Sequence, residues 1–163
     1  MIYTITTIKG VVVLKFQQLD YKRVNIEDMK LQMRQLIEEM KVVETIEEQK
    51  EVINQINKLR DTFSTQMTLV EIRASINTND EFYQAEREYY DETAPQFEEA
   101  VTEYYEALTT SPFRKQLEVQ WGAQLFALAD NQLKGFKPEI IGLMQKENKL
   151  TSKYSKLIAS AQI

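Results

Sequence analysis

Histidine is absent from the 163-residue chain, and so is cysteine. Without imidazole, neither a Ser-His-Asp nor a Cys-His triad can be built. An H-E-x-x-H zinc site and a carboxylate–histidine di-iron site lose their donors too. Without thiols there can be no disulfide, thiol nucleophile or thiolate metal site. Carboxylate-only catalysis is what stays open. Glycine is scarce, and Gly10, Gly122, Gly135 and Gly142 are too scattered for a dinucleotide loop or a P-loop. No apolar run is long enough to span a bilayer, and no basic n-region with a cleavage site marks a secretory signal. A net charge of −5 with no dense Lys/Arg cluster speaks against a nucleic-acid surface.

What is present favours helix. Hydrophobic residues make up 43% of the chain and charged ones 28%, with Glu, Gln, Lys, Leu and Ile prominent and only three prolines. The expected fold is all-α: an antiparallel bundle of about five to six helices, one of them very long. The helical domain is expected over residues 16–163, with residues 1–15 as an N-terminal extension. In that extension Ile2, Ile5, Ile8 and Val11 to Val13, broken at Lys9-Gly10, read as a short β-hairpin. Lack of cysteine fits a cytoplasmic protein.

The long helix is expected over residues 45–78. Thr45-Ile46-Glu47-Glu48 has capping-box spacing, and Ile53, Ile56, Phe63, Met67, Val70 and Ala74 follow at helical intervals. Arg60 interrupts that stripe, and Arg73 lies beside it. A guanidinium there needs a partner, so both are expected in ion pairs with the acidic helix that follows. The functional alternative is an arginine that orients a peptide carboxylate. Before the long helix, Asn25 caps a helix running to about Val43. Its face holds Ile26, Met29, Met33, Leu36, Ile37 and Met40, with the methionines as core filler.

Thr78-Asn79-Asp80-Glu81 repeats the capping spacing and opens a third helix. Over residues 80–106 ten acids interleave with seven aromatics, and Arg87 is the one basic residue. This reads as a solvated acidic face over an aromatic core face, with a carboxylate cation site as the sharper alternative. Pro95 predicts a kink or restart near Thr93. Glu47/Glu51 and Glu99/Glu103 have the i, i+4 spacing of paired ligands but read as exposed pairs. Ser111-Pro112 marks a further start, with Ser as N-cap and Pro at the first helical position. Gly122 permits a bend and Gly135 reads as a C-cap. Pro138 opens a last helix, with Ile140, Ile141, Met144, Leu150, Tyr154, Leu157 and Ile158 expected to face inward.

Several runs together resemble one family. They are residues 56–65 (INKLRDTFST), Ile72-Arg73, Asp80-Glu81-Phe82-Tyr83, Ser111-Pro112-Phe113-Arg114, residues 121–126 (WGAQLF) and residues 147–161 (ENKLTSKYSKLIASA). In that order they resemble the N-terminal part of oligoendopeptidase F-type zinc peptidases, over about residues 16–163. The resemblance implies a helical piece of a cytoplasmic enzyme far longer than this chain, which cleaves short peptides in a closed cleft. In such enzymes the zinc and its H-E-x-x-H helix lie beyond the region matched, so no residue here is carried over as catalytic, cofactor-binding or metal-binding. The expectation is an N-terminal fragment, a truncated product or isolated domain, that is inactive alone and has no cofactor of its own. Val13 or Leu14 would be natural family starts, which makes the first dozen residues a candidate translated leader. Expected partners are a second copy, through exposed apolar helix faces, and a separately encoded catalytic half. The competing reading is a helical protein- or peptide-interaction module with no enzymatic role. A carboxylate-bridged metal bundle is a third, weaker one.

Overall fold

The computed structural model describes residues 16–161. The expected hairpin and leader over the first residues lie outside them. A 3-10 turn at Phe16–Gln18 leads through an extended connector to helix α1, Ile26–Val42. Asn25 caps α1 by accepting the main-chain N–H groups of Glu27 and Asp28. A three-residue turn then gives α2, Ile46–Ile76, where the capping box forms as its spacing predicts. Thr45 accepts from the Glu48 N–H, and the Glu48 carboxylate accepts from the Thr45 N–H. The remaining helices are α3 (Glu81–Thr109), α4 (Arg114–Trp121), α5 (Ala123–Gly135) and α6 (Ile141–Ser160). A 3-10 turn at Pro138–Ile140 introduces the last. No strand occurs among the described residues, and the fold is an all-α bundle.

The core forms where three apolar stripes meet. Met29, Met33, Ile37 and Met40 of α1 face Ile53, Ile56, Phe63 and Val70 of α2. Tyr90, Phe97, Val101, Tyr104 and Leu108 of α3 close the third side. Phe63 stacks on Phe97 with ring centroids 4.2 Å apart and meets Tyr90 edge-on at 5.5 Å. The methionines are core filler, as expected.

The helix that organises the bundle is α3, although α2 is longer. Of the described helices α1, α2, α5 and α6 all pack against it. The reason lies in its aromatics and small residues. Tyr90, Thr93, Pro95, Phe97, Ala100, Tyr104 and Ala107 are buried, which leaves several sides of the helix free to receive neighbours.

Helix starts differ from expectation at two places. α3 is capped by Asp80, whose Oδ1 accepts from the Tyr83 N–H, and Thr78 stays in the preceding turn. α4 starts at Arg114, two residues after Pro112. There the Ser111 hydroxyl donates to the buried Gln49 side chain at 2.6 Å while accepting from the Phe113 N–H. Gln49 in turn donates to the Met40 carbonyl at 3.0 Å, so one amide fastens the end of α1 to the turn after α3. Gly122 separates α4 from α5 at φ +88° and ψ 149°, a conformation that L side chains rarely adopt. Gly135 is the last residue of α5 and Phe136 the cap, its N–H donating to the Gln132 carbonyl.

Pro95 does not restart α3, which runs unbroken from Glu81 to Thr109. A proline lacks the N–H that would meet the carbonyl four residues back, here Asp91. The Asn148 side-chain amide of α6 donates to that carbonyl at 3.3 Å, and Gln145 donates to the Glu92 carbonyl at 2.8 Å. The opened backbone is therefore the dock for α6. No residue of α6 is fully buried. Leu150, Tyr154, Leu157 and Ile158, expected to face inward, are exposed. The inward positions are the half-buried Ile141, Met144, Gln145, Asn148, Ser152 and Ser155. The mixed apolar and polar spacing of α6 supports either face, and the Asp91 carbonyl that Pro95 leaves free chooses the polar one.

Candidate functional site

The acids of α3 are the candidates for chemistry, and the connector, α1 and α5 each engage one of them. From the connector, Arg23 holds Glu86 with two nitrogens, Nη2 to Oε1 and Nε to Oε2, the latter at 2.8 Å. The Tyr21 hydroxyl donates to the same carboxylate. Glu86 is buried, and the Arg23 hydrogen bonds followed by that of Tyr21 hold its carboxyl below the usual glutamate range despite desolvation. Burial and the Glu86 hydrogen bond raise the Tyr21 phenol well above its ordinary value, so it remains a donor. Beside them the Tyr89 hydroxyl donates to the Val24 carbonyl at 2.8 Å and accepts from the Ile26 N–H at 3.2 Å, closing the start of α1.

From α1, Arg34 reaches Glu103 at 2.9 Å, so the Glu99/Glu103 pair is not free for a ligand. From α5, the Gln132 amide donates to Glu98, whose carboxyl is raised chiefly by burial, with Arg60 pulling it back. Glu47 lies within 3.4 Å of the Lys50 ammonium and is exposed. Arg114 joins Glu118 at 2.9 Å and Asp130 at 3.1 Å, and its guanidinium lies 5.2 Å from the Phe126 ring centre.

Arg60 and Arg73 do meet α3, but through tyrosine and not through carboxylates. Arg60 Nη2 donates to the Tyr105 hydroxyl at 2.8 Å, with the Tyr104 and Tyr105 ring centres at 5.8 and 5.3 Å. Burial pushes the Tyr104 phenol up to about 12. Arg73 Nη1 donates to the Tyr83 hydroxyl at 2.6 Å and Nη2 to the Leu19 carbonyl, with the Phe16 and Tyr83 rings beside it. A half-buried guanidinium is stabilised here by ring faces and neutral acceptors, which avoids desolvating a second charge. The expected ion pairs are absent because the side chains that α3 turns to α2 at those levels are aromatic.

Between α3 and α6 lies a cleft of about 620 Å³ lined by Arg87, Glu88, Asp91, Lys149, Ser152 and Lys153, among others. Asp91 sits beneath α6. Its carboxyl is raised first by burial, an effect that Ser152, Arg87 and Lys149 partly offset. A raised carboxyl in a cleft is the pattern of a general acid. Here the burial has a structural origin, since α6 lies over Asp91 to reach its carbonyl. Sequence reading counted Asp91 among the ten acids of α3 without foreseeing its burial; the signal was its position four residues before Pro95.

Among the described residues, no three His, Cys, Asp or Glu side chains come together as a metal-holding group. The carboxylate-bridged reading thus finds no such group among the described residues. A peptidase zinc also requires imidazole donors that the chain lacks, so these residues do not fit one. No described helix is long and apolar enough to cross a membrane.

The profile of the Peptidase M3 N-terminal domain family matches residues 16–136. The chain belongs to that family. Three solved structures are similar to this M3 N-terminal domain over nearly all of its length. PZ peptidase A, solved with an inhibitor, is 48% identical with a TM-score of 0.88, covering 91% of this chain and 26% of that one. A protein assigned as an oligoendopeptidase F from Bacillus anthracis strain Ames is 44% identical with a TM-score of 0.90, covering 93% and 28%. Another assigned oligoendopeptidase F is 44% identical at 0.89, covering 93% and 27%. No curated protein gives a match. The M3 N-terminal domain thus spans about a quarter of the length of these relatives.

Proposed function

We propose that this chain is the N-terminal helical part of an oligoendopeptidase F-like zinc peptidase that cleaves short peptides, and that it holds no catalytic centre of its own. The observation that carries the reading is the likeness itself: 44–48% identity along more than nine-tenths of this chain but only 26–28% of the relatives. The missing imidazole supports it, because a zinc-bound water needs donors from elsewhere. In this reading the chain supplies a rigid wall of the substrate chamber, and its arginine–tyrosine contacts fix the wall's shape. The setting is cytoplasmic, consistent with the lack of cysteine.

The natural partner is a catalytic part, continuous with the chain or separately encoded. Without that part, exposed apolar helix faces favour a dimer of the isolated chain. Light scattering at high concentration then gives a mass above the monomer, and a strict monomer contradicts the dimer. The functional reading is tested by grafting this chain in place of its counterpart in the Bacillus anthracis relative. A chimera that hydrolyses a quenched-fluorescence peptide at a rate within tenfold of the parent supports it; a folded but inactive chimera contradicts it.

A further inference from the structure

Every described helix except α6 places at least one residue in full burial. α6 rests on α3 through half-buried positions and two amide-to-carbonyl hydrogen bonds. Its opposite side carries Leu143, Leu150 and Leu157 at seven-residue spacing, with Tyr154 and Ile158 alongside, all between 58% and 66% exposed. Single exposed leucines are ordinary. A helix-long line of them is the seam of a helix pair with one partner missing.

The charges beside the seam say what that partner is. At about 100° per residue, Lys146 and Lys153 fall along one edge of the leucine line and Glu147 along the other. In a two-fold antiparallel pair, each edge meets its own copy. Packed that way, a second α6 would set Lys146 and Lys153 against the same two lysines; packed parallel, it would offer both lysines a single acid, Glu147, on the facing edge. The seam fits a helix that is apolar in the middle and acidic on the edge facing the lysines. The relatives keep the fold of this domain at TM-scores of 0.88–0.90 while carrying nearly three-quarters of their chain beyond it.

We propose that the outward face of α6 seats a helix of the catalytic part, apolar along its seam and acidic along the edge that meets Lys146 and Lys153. This rests on the peptidase reading above and names the surface through which the two parts join. A dimer of the isolated chain then uses other apolar positions, such as Leu31, Val42 or Val119.

The test compares the same substitutions in the isolated chain and in the chimera with the Bacillus anthracis relative. In the isolated chain, Leu150→Glu with Leu157→Glu shifts the unfolding temperature by no more than about 2 °C, because both side chains already face water. In the chimera, the pair lowers it by more than about 5 °C and cuts peptide turnover at least about tenfold, because charges enter a packed seam. Lys146→Glu with Lys153→Glu acts in the same direction in the chimera alone, where Leu31→Glu, away from the seam, is silent. A chimera indifferent to the leucine and lysine variants overturns the seam while leaving the peptidase reading intact. An unaltered chimera that folds but is inactive overturns the peptidase reading, and the seam with it. A dimer of the isolated chain that Leu150→Glu with Leu157→Glu dissolves places a second copy on α6 and overturns the proposal.

Discussion

At the scale of single residues, the decisive pairing joins a connector to the middle of α3. Arg23 is about half exposed, whereas the Glu86 side chain is 4% exposed. The two halves are therefore not equivalent. Glu86→Gln leaves an arginine that water can solvate, while Arg23→Ala leaves a buried carboxylate with one tyrosine donor. Arg23→Ala should cost about 2–3 kcal/mol at pH 7 and Glu86→Gln less than half of that, read from urea unfolding. The sign of the pH dependence follows from the depressed folded-state pKa of Glu86. Its contribution is complete above the unfolded value near 4.5 and is lost as pH falls through the lower folded value. The penalty of Arg23→Ala should therefore shrink between pH 5 and pH 3; a constant penalty contradicts the assignment. None of this was legible in the sequence. Arg23 sits in a stretch with no periodicity, and 63 residues separate it from Glu86. Arg60 and Arg73 were legible as residues needing partners because they stand in or beside an apolar stripe. That the partners are Tyr105 and Tyr83 depended on which aromatic α3 presents at each level.

At the scale of elements, caps and periodicity located α1 and α2 almost to the residue, since Asn25 and the Thr45–Glu48 box are local devices. The starts of α3 and α4 were misplaced where a capping side chain had competitors. Asp80 outdoes Thr78, and Ser111 is drawn to Gln49 from another helix. Pro95 shows the same limit in reverse. Its lost hydrogen bond was foreseen, but its remedy comes from Asn148 on a helix more than fifty residues later. This predicts coupling. Asn148→Ala should cost about 1 kcal/mol in the natural sequence and close to nothing in a Pro95→Ala background, where residue 95 supplies the missing donor. Equal costs in the two backgrounds would show that the amide is not serving the proline. The same docking explains why α6 defeats a reading by hydrophobic pattern. Its apolar seam points away from the bundle, and only the unsatisfied carbonyl of another helix reveals which face turns inward.

At the scale of the whole molecule, the all-α class followed from scarce glycine and proline and from long uninterrupted stripes. The central role of α3 did not, because burial on several sides of one helix leaves no single stripe to read. Family membership rested on ordered short runs scattered from α2 to α6, of which no single one would have sufficed. The chain has the fold of the Peptidase M3 N-terminal domain and no histidine. The most direct measurement is zinc content and peptide turnover of the purified 163-residue chain, dialysed against micromolar zinc. The account predicts no stoichiometric zinc and no hydrolysis above the uncatalysed rate. One zinc per chain together with saturable peptide cleavage would contradict it.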